Sequence, residues 1–372
     1  MKILHITPNI GTGGVQSLVY EFGKYQVRHG HQADVLSLRN EDSLYFKEKD
    51  YSDAGIRVIR GKYPKTYDPR NILVIRKYLC AYDIVHVHLF PNQLYAKIAQ
   101  MLTARKKRPV LITTEHSTYN NRRKYSVLRL LDRWFYKSYD KIVCISRQTK
   151  ENIDKWLCSE SLSEKTVTIT NGVDLEKFSS APDRLSEAIQ LEPEAKYIVM
   201  VARMAHPKDP ITLIKAIALC ESSVHGVFIG SGPLECAMAA EAESLGISSR
   251  IHMLGNRTNV EELIKGCDIG VLSTLWDGFG LVAVEYMAAG LPVLATDVAG
   301  LCEVVGEKEL LFNYKDAEGL ASKISGLLSD PGHMESKKQY SASRCRDFSI
   351  DRMNSEYLEL YKRLTATNKK IY

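Results

Sequence analysis

The sequence has no CxxC pair, and its eight cysteines are scattered at positions 80, 144, 158, 220, 236, 267, 302 and 345. That excludes a short-chain disulfide framework and leaves reduced, mainly structural thiols. No apolar run approaches the roughly 18–20 residues needed to cross a bilayer. The opening MKILHITPN passes straight into a strand pattern, without the apolar region of a signal peptide. A cytoplasmic protein is expected. There is no GxGxxG, and no acid closes the second strand (Ser37-Leu38-Arg39) to hold a ribose, which disfavours a dinucleotide-dependent dehydrogenase. No DxD-type motif for a metal-held nucleotide, no internal repeat and no low-complexity tract stands out.

What is present is an ordinary globular composition, 45% hydrophobic and 25% charged over 372 residues. That length exceeds one core and implies two domains. Charge is uneven: 30 Lys+Arg against 18 Asp+Glu through Ser180, then 20 against 26. A basic half suits anionic lipid, a phosphorylated acceptor or nucleic acid, the last being the reading not adopted.

Short β-branched runs alternate with helical periodicity. Strands are expected at Lys2–Thr7, Ala33–Leu38, Ile56–Arg60, Ile84–His88, Val110–Thr114, Lys141–Ile145 and Val167–Thr170. After the polar, proline-containing stretch Ser179–Ala195, the expected linker, strands resume at Tyr197–Ala202, Gly226–Ile229, Arg250–Leu254, Ile269–Leu272 and Pro292–Thr296. Apolar runs alternating with helices indicate parallel sheets with right-handed crossovers. The fold class is therefore α/β, two doubly wound Rossmann-like domains, 1–180 and 181–349. Asp209 before Pro210 should cap one helix, and Thr258 with Glu261 should make a capping box on another. Two helices, about Ala317–Leu328 and Ile350–Leu364, close the chain.

One stretch carries the most chemistry: WDGFGLVAVEYMAAGLPVLATDVAG, Trp276–Gly300. Asp277 and Gly278-Phe279-Gly280 lead into an apolar helix with one acid, Glu285, in its second turn. The helix start is an anion site, because free N–H groups and the positive dipole end point outward. An acid on so apolar a helix needs a partner. A nucleoside diphosphate offers phosphates to the first and ribose hydroxyls to the second. After the first strand of the second half, Arg203 and Lys208 in ARMAHPKDP suit a diphosphate, although they can equally be surface charges of a βα loop. Gly230-Ser231-Gly232-Pro233 and Gly255-Asn256-Arg257-Thr258 are backbone-rich turns able to line a base or nucleoside. Near the start, Gly11-Thr12-Gly13-Gly14 is either a tight turn or a surface that lets a sugar or phosphate approach.

The order GTGG, EHS, NGVDLEKF, ARMAHPKDP, GSGPLE and DGFGLVAVEYMAAGLPVLATDVAG resembles the family-4 glycosyltransferases, retaining enzymes of the GT-B fold that use nucleotide sugars. The resemblance spans nearly the whole chain. It implies two domains facing a cleft, with the C-terminal helix, about 350–372, packing back on the first. It also implies site roles. Arg203 and Lys208 would hold the donor diphosphate, and Glu285 the ribose. Asp277, with backbone N–H groups of Phe279, Gly280, Leu281 and Val282, would hold the donor sugar. His116 would sit by the transferred sugar, and Gly13 and Gly14 would approach the donor. Gly232, Asn256 and Arg257 complete the donor set. Where the family has Glu at the start of E-x7-E, this chain has Asp277, one methylene shorter.

The Asp277/Glu285 pair could also be read as glycosidase carboxylates, but nucleotide-site signals surround it. His86 and His88 share one face of a strand and could ligate a metal. With no third ligand evident, neither metal nor cofactor is expected. Arg129, Arg133, Lys137 and Lys141 recur every fourth residue, with Val127, Leu128, Leu131, Trp134 and Phe135 opposite. The apolar stripe is read as core. The basic row, with Arg122, Arg123 and Lys124, is read as facing anionic lipid or a lipid-diphosphate acceptor. The expected function is transfer of a sugar, uridine-linked as is commonest in the resembled family, to a glycan or polyprenyl-diphosphate acceptor in bacterial surface-polysaccharide synthesis. The protein would lie at the inner face of the plasma membrane. An epimerase of the same fold, or a non-catalytic nucleotide- or lipid-binding protein, are the alternatives.

Overall fold

The computed structural model describes residues 1–11, 14–39, 48–63, 65–116 and 121–371. The chain divides into two units, Met1–Thr170 with Asp351–Tyr372, and Asn171–Ile350.

Among the described residues, the first unit is built on seven parallel strands: β1 (Lys2–Thr7), β2 (Gln32–Ser37), β3 (Arg57–Arg60), β4 (Ile84–His88), β5 (Val110–Glu115), β6 (Lys141–Cys144) and β7 (Thr166–Thr168). Their order is β3-β2-β1-β4-β5-β6-β7, so the winding reverses between β1 and β4. Both faces of the central strands are covered, and β4 and β5 are buried at every position, as parallel strands packed under helices on both sides are. His5, His86 and His88 are polar exceptions, fully buried in β1 and β4. The Asp83 carboxylate accepts from the Lys2 amide at 2.7 Å and fixes the start of β4 against β1. The final helix, Ile350–Ile371, joins this unit from Asp351 onward. Tyr357 Oη lies 3.0 Å from Thr114 Oγ1, and Tyr361 Oη 2.6 Å from His86 Nδ1.

The second unit has six parallel strands: β8 (Lys196–Val201), β9 (Val224–Ile229), β10 (Ile251–Gly255), β11 (Ile269–Leu272), β12 (Val293–Thr296) and β13 (Leu311–Phe312). The order β10-β9-β8-β11-β12-β13 reverses between β8 and β11. Strand β13 has two residues, too few for any period to be read from sequence.

Four expectations are corrected. The units part at Thr170/Asn171, ten residues before the expected boundary. The polar stretch 179–195 belongs wholly to the second unit, where Leu185 is fully buried and the Glu192 amide donates to Tyr197 Oη at 2.9 Å. Polarity marked a surface segment there, not a free linker. The capping box also does not form: Asn259 holds the cap position without a side-chain cap, and Glu261 is drawn away to Lys177 at 3.2 Å. An unexpected helix, Pro331–Arg344, lies between the two predicted at the end. It has no apolar stripe and is held by polar contacts. Lys337 pairs with Glu307 and Glu309 at 2.8 and 2.7 Å, and Tyr340 Oη donates to the Val305 carbonyl. The Asp330-Pro331 start was legible, since Asp330 caps the amides of Gly332 and His333.

Candidate active site

In open α/β sheets, ligands sit beyond the carboxyl ends of the strands where the winding reverses. In the second unit that place lies between the loops after β8 and β11. Asp209 caps the helix Pro210–Leu219, accepting from the Thr212 amide and hydroxyl at 3.3 and 2.6 Å. The Asp209 amide donates to the Ser273 carbonyl at 3.0 Å, and the Leu275 amide to the Pro207 carbonyl at 3.0 Å. Ser273 Oγ donates back to the Asp209 carbonyl at 2.5 Å. These ties between the two loops set Lys208 Nζ 2.5 Å from Asp277 Oδ2.

The other oxygen of Asp277 accepts from the amides of Phe279 (3.2 Å) and Gly280 (2.9 Å). Burial pushes this carboxyl up. The Lys208 charge and hydrogen bond and the two amides outweigh it, and hold Asp277 below the usual carboxylate range. Gly280 has φ +84°, and a Cβ there would meet Leu301 Cδ2 at 2.3 Å, so both backbone and space demand glycine. Gly300, at φ +94°, lets the next helix pack on the Asp277 carbonyl, where a Cβ would come within 2.6 Å.

The helix Leu281–Ala288 starts there. The amides of Phe279 and Gly280, expected to face an anion, are instead turned onto Asp277. Those of Leu281 and Val282, in the first turn, lack intrahelical acceptors. The Glu285 side chain has no hydrogen-bond or ion-pair partner among the described residues. Burial raises its pKa to about 7, with Lys177 opposing and Glu261 reinforcing the shift. Its neighbour Tyr286 is fully buried, and its hydroxyl accepts from the Val201 amide at 2.6 Å, anchoring the helix to β8. Arg203 is exposed and, among the described residues, has no side-chain partner.

In the first unit, His116 follows β5 and its Nε2 lies 3.1 Å from His88 Nδ1. His88 Nε2 lies 3.2 Å from His5 Nδ1, and His5 Nε2 lies 3.1 Å from Gln26 Oε1. Burial lowers His116 to about 3 and His5 to about 4, the latter despite its bond to Gln26, and holds His88 well below the usual range. All three are neutral at pH 7. The nitrogens of His5, His86 and His88 lie within 4.8 Å of one another, close enough to share a metal ion. Hydrogen bonds already engage them, since His86 contacts Tyr361 and Thr114 and the other two lie in the row just described.

A sequence profile for Glycosyltransferase Family 4 matches residues 12–177, and one for Glycosyl transferases group 1 matches 183–344. The chain belongs to this glycosyltransferase family. The transferase is 28% identical over 353 residues to the UDP-Gal:alpha-D-GlcNAc-diphosphoundecaprenol alpha-1,3-galactosyltransferase of Escherichia coli, covering 89% of this chain and 88% of that one. It is 24% identical to the N-acetyl-alpha-D-glucosaminyl L-malate synthase of Bacillus anthracis, covering 95% and 94%. Its fold is that of Anabaena HepE, solved with UDP and glucose, at a TM-score of 0.82, 19% identity and coverage of 97% and 99%. This is the GT-B fold.

The other expected donor residues of the transferase are less committed. The Gly232 amide donates to Glu235 at 2.7 Å. Asn256 and Arg257 are exposed, and Arg257 Nε donates to the Leu254 carbonyl at 3.0 Å. Gly14 opens the first helix; Gly13 lies outside the described residues.

The basic row is a correction. Arg122 lies over the Phe90 ring at 3.8 Å and is 3.8 Å from Asp132. Arg123 reaches Glu115 at 3.3 Å, and Arg129 lies 5.1 Å over Trp156. Arg133 donates to the carbonyls of Leu157 and Cys158, the end of a neighbouring helix. Only Lys124 and Lys137 of the named set are exposed. The solvent face of helix Leu128–Tyr136 carries Leu130 and Trp134, with Val127 just before it. The buried acids Asp132 and Glu115 draw Arg122 and Arg123 inward, because a buried carboxylate needs a partner. Sequence reasoning also missed His5 and Gln26. Both come from strand and helix positions with no motif of their own.

Proposed function

We propose that this transferase is a retaining, metal-independent enzyme. It moves a sugar from a UDP-sugar to a hydroxyl of a lipid-diphosphate-linked glycan, in bacterial surface-polysaccharide synthesis. The observation that carries the reading is the placement of Lys208, on the same loop after β8 as exposed Arg203, paired to Asp277 at the reversal point of the second sheet and at the start of helix Leu281–Ala288. As the bond from sugar C1 to the β-phosphate breaks, negative charge develops on the phosphate. Arg203, Lys208 and the amides of Leu281 and Val282 meet it without a metal. Retention requires the acceptor hydroxyl to attack C1 on the face the phosphate leaves, so a departing phosphate oxygen is the nearest base for its proton. Glu285 binds the ribose hydroxyls and Asp277 the donor sugar; in the first unit, His116 is the residue that meets a sugar hydroxyl. The Escherichia coli relative's name supports both the uridine donor and the lipid-diphosphate acceptor.

No helix of the described residues is long and apolar enough to cross a membrane. The membrane contact is interfacial and apolar: Val127, Leu130 and Trp134 lie on one helical face at 72%, 66% and 41% exposure, with Lys124 and Lys137 at its margins.

The test incubates the protein with UDP-Gal, UDP-GlcNAc, UDP-Glc and GDP-Man, with and without undecaprenyl-diphosphate-linked N-acetylglucosamine, in the presence of EDTA. A glycosylated lipid whose new bond keeps the donor's anomeric configuration supports the reading. An inverted bond, loss of activity in EDTA, or interconversion of donors without acceptor would overturn it.

A further inference from the structure

The row Gln26, His5, His88, His116 crosses the first unit from a helix through β1 and β4 to the end of β5. Each link is 3.1–3.2 Å long and joins one nitrogen to the next acceptor or donor. A neutral imidazole has one N–H and one lone pair, so a row of them has a single direction. The acceptor at the far end sets it. Gln26 Oε1 can only accept, so His5 carries its proton on Nε2 and offers the lone pair of Nδ1. His88 then donates from Nε2 and accepts at Nδ1, and His116 donates from Nε2. Nδ1 of His116 has no partner among the described residues.

We propose that Gln26, His5 and His88 are positioning residues that fix His116 as its Nε2–H tautomer, leaving Nδ1 to accept from a sugar hydroxyl. This rests on the reading above that His116 meets a sugar hydroxyl. The surroundings suit a neutral row. Phe22 stacks on His5 at 5.6 Å and on His88 at 6.1 Å, and the side chain of Asn92 donates to the His88 carbonyl at 3.0 Å. Burial keeps all three rings uncharged at pH 7. His86 lies outside the row, since both its nitrogens bond to hydroxyls.

The test is 15N NMR of the full-length protein labelled at histidine, without substrate. The expected result is Nε2–H for His5, His88 and His116, with couplings through the N–H···N bonds from His116 to His88 and from His88 to His5. An Nδ1–H His116 in the parent protein overturns the proposal. Gln26→Leu, three hydrogen bonds away, should give His116 a mixture of tautomers. It should also lower kcat about ten- to a hundredfold, the effect of outer partners that orient a ring, with KM for the nucleotide sugar unchanged. His88→Asn, whose Oδ1 takes the place of Nδ1, should restore both relative to His88→Phe. An unchanged His116 tautomer in both Gln26→Leu and His88→Phe also overturns it. The NMR needs no turnover, so it judges the row alone. Normal kcat in His116→Phe would instead refute the placing of His116 at a sugar hydroxyl.

Discussion

Replacing Lys208 by Met strips the ammonium from Asp277 while keeping most of the stem. The two side chains are 22% and 20% exposed. Removing one partner of a fully buried pair costs about 3–5 kcal/mol. Here the residual exposure and the two amide bonds to Oδ1 reduce that to about 1–3 kcal/mol. For a unit of this size, that lowers Tm by about 3–10 °C. Activity should fall further, by about 10²–10³ in kcat, as expected when a donor to developing charge is lost. Adding Asp277→Asn separates the two effects. The amide oxygen still accepts from Phe279 and Gly280, but no stranded charge remains, so the double variant should regain most of the lost Tm and none of the lost kcat. Differential scanning calorimetry and steady-state transfer assays read the two axes. If Asp277→Asn restores kcat, Lys208 serves only to neutralise Asp277, and its contact with the diphosphate is refuted. If it fails to restore Tm, the stranded-charge argument is wrong.

Four further outcomes follow from the same geometry. Glu285 has a folded pKa raised to about 7 against an unfolded value of about 4.3, so the folded state binds the extra proton between them. Stability therefore falls as pH rises through that window, by up to about 4 kcal/mol, and Glu285→Gln should open a growing Tm advantage over the parent from about pH 4.5 to pH 8; parallel curves would refute it. Gly280→Ala forces a left-handed backbone and a contact with Leu301, and should cost at least about 1–3 kcal/mol by chemical denaturation. Leu130→Ser with Trp134→Ser should weaken binding to anionic vesicles at little cost in stability, whereas Arg133→Ala should lower stability by about 1–2 kcal/mol through its lost bonds to the Leu157 and Cys158 carbonyls. Vesicle co-sedimentation and thermal melts distinguish these, and vesicle binding unchanged by the first pair would sink the apolar-face reading.

The sequence by itself determined whatever is carried by near neighbours along the chain. The alternation of apolar runs and helical periods specified two parallel sheets. Asp209-Pro210 specified a helix start, and the eight-residue spacing from Asp277 to Glu285 placed one acid before a helix and the other in its second turn. These are contacts of a few residues' range, governed by backbone geometry. The tertiary structure decided who meets whom across that frame. Lys208 and Asp277 are 69 residues apart in sequence and meet because β8 and β11 are neighbours at the winding reversal. The Phe279 and Gly280 amides turn to Asp277 because a buried carboxylate needs donors. The arginines from Arg122 to Arg133 look like a lipid-facing row on a helical wheel. They point inward because Glu115 on β5, Asp132 and the end of the helix Arg147–Leu157 lie there. His5 and Gln26 carry no signal in sequence. Only the order β1-β4-β5 brings them into line with His116, because strand order, unlike periodicity, is settled by the packing of the whole sheet.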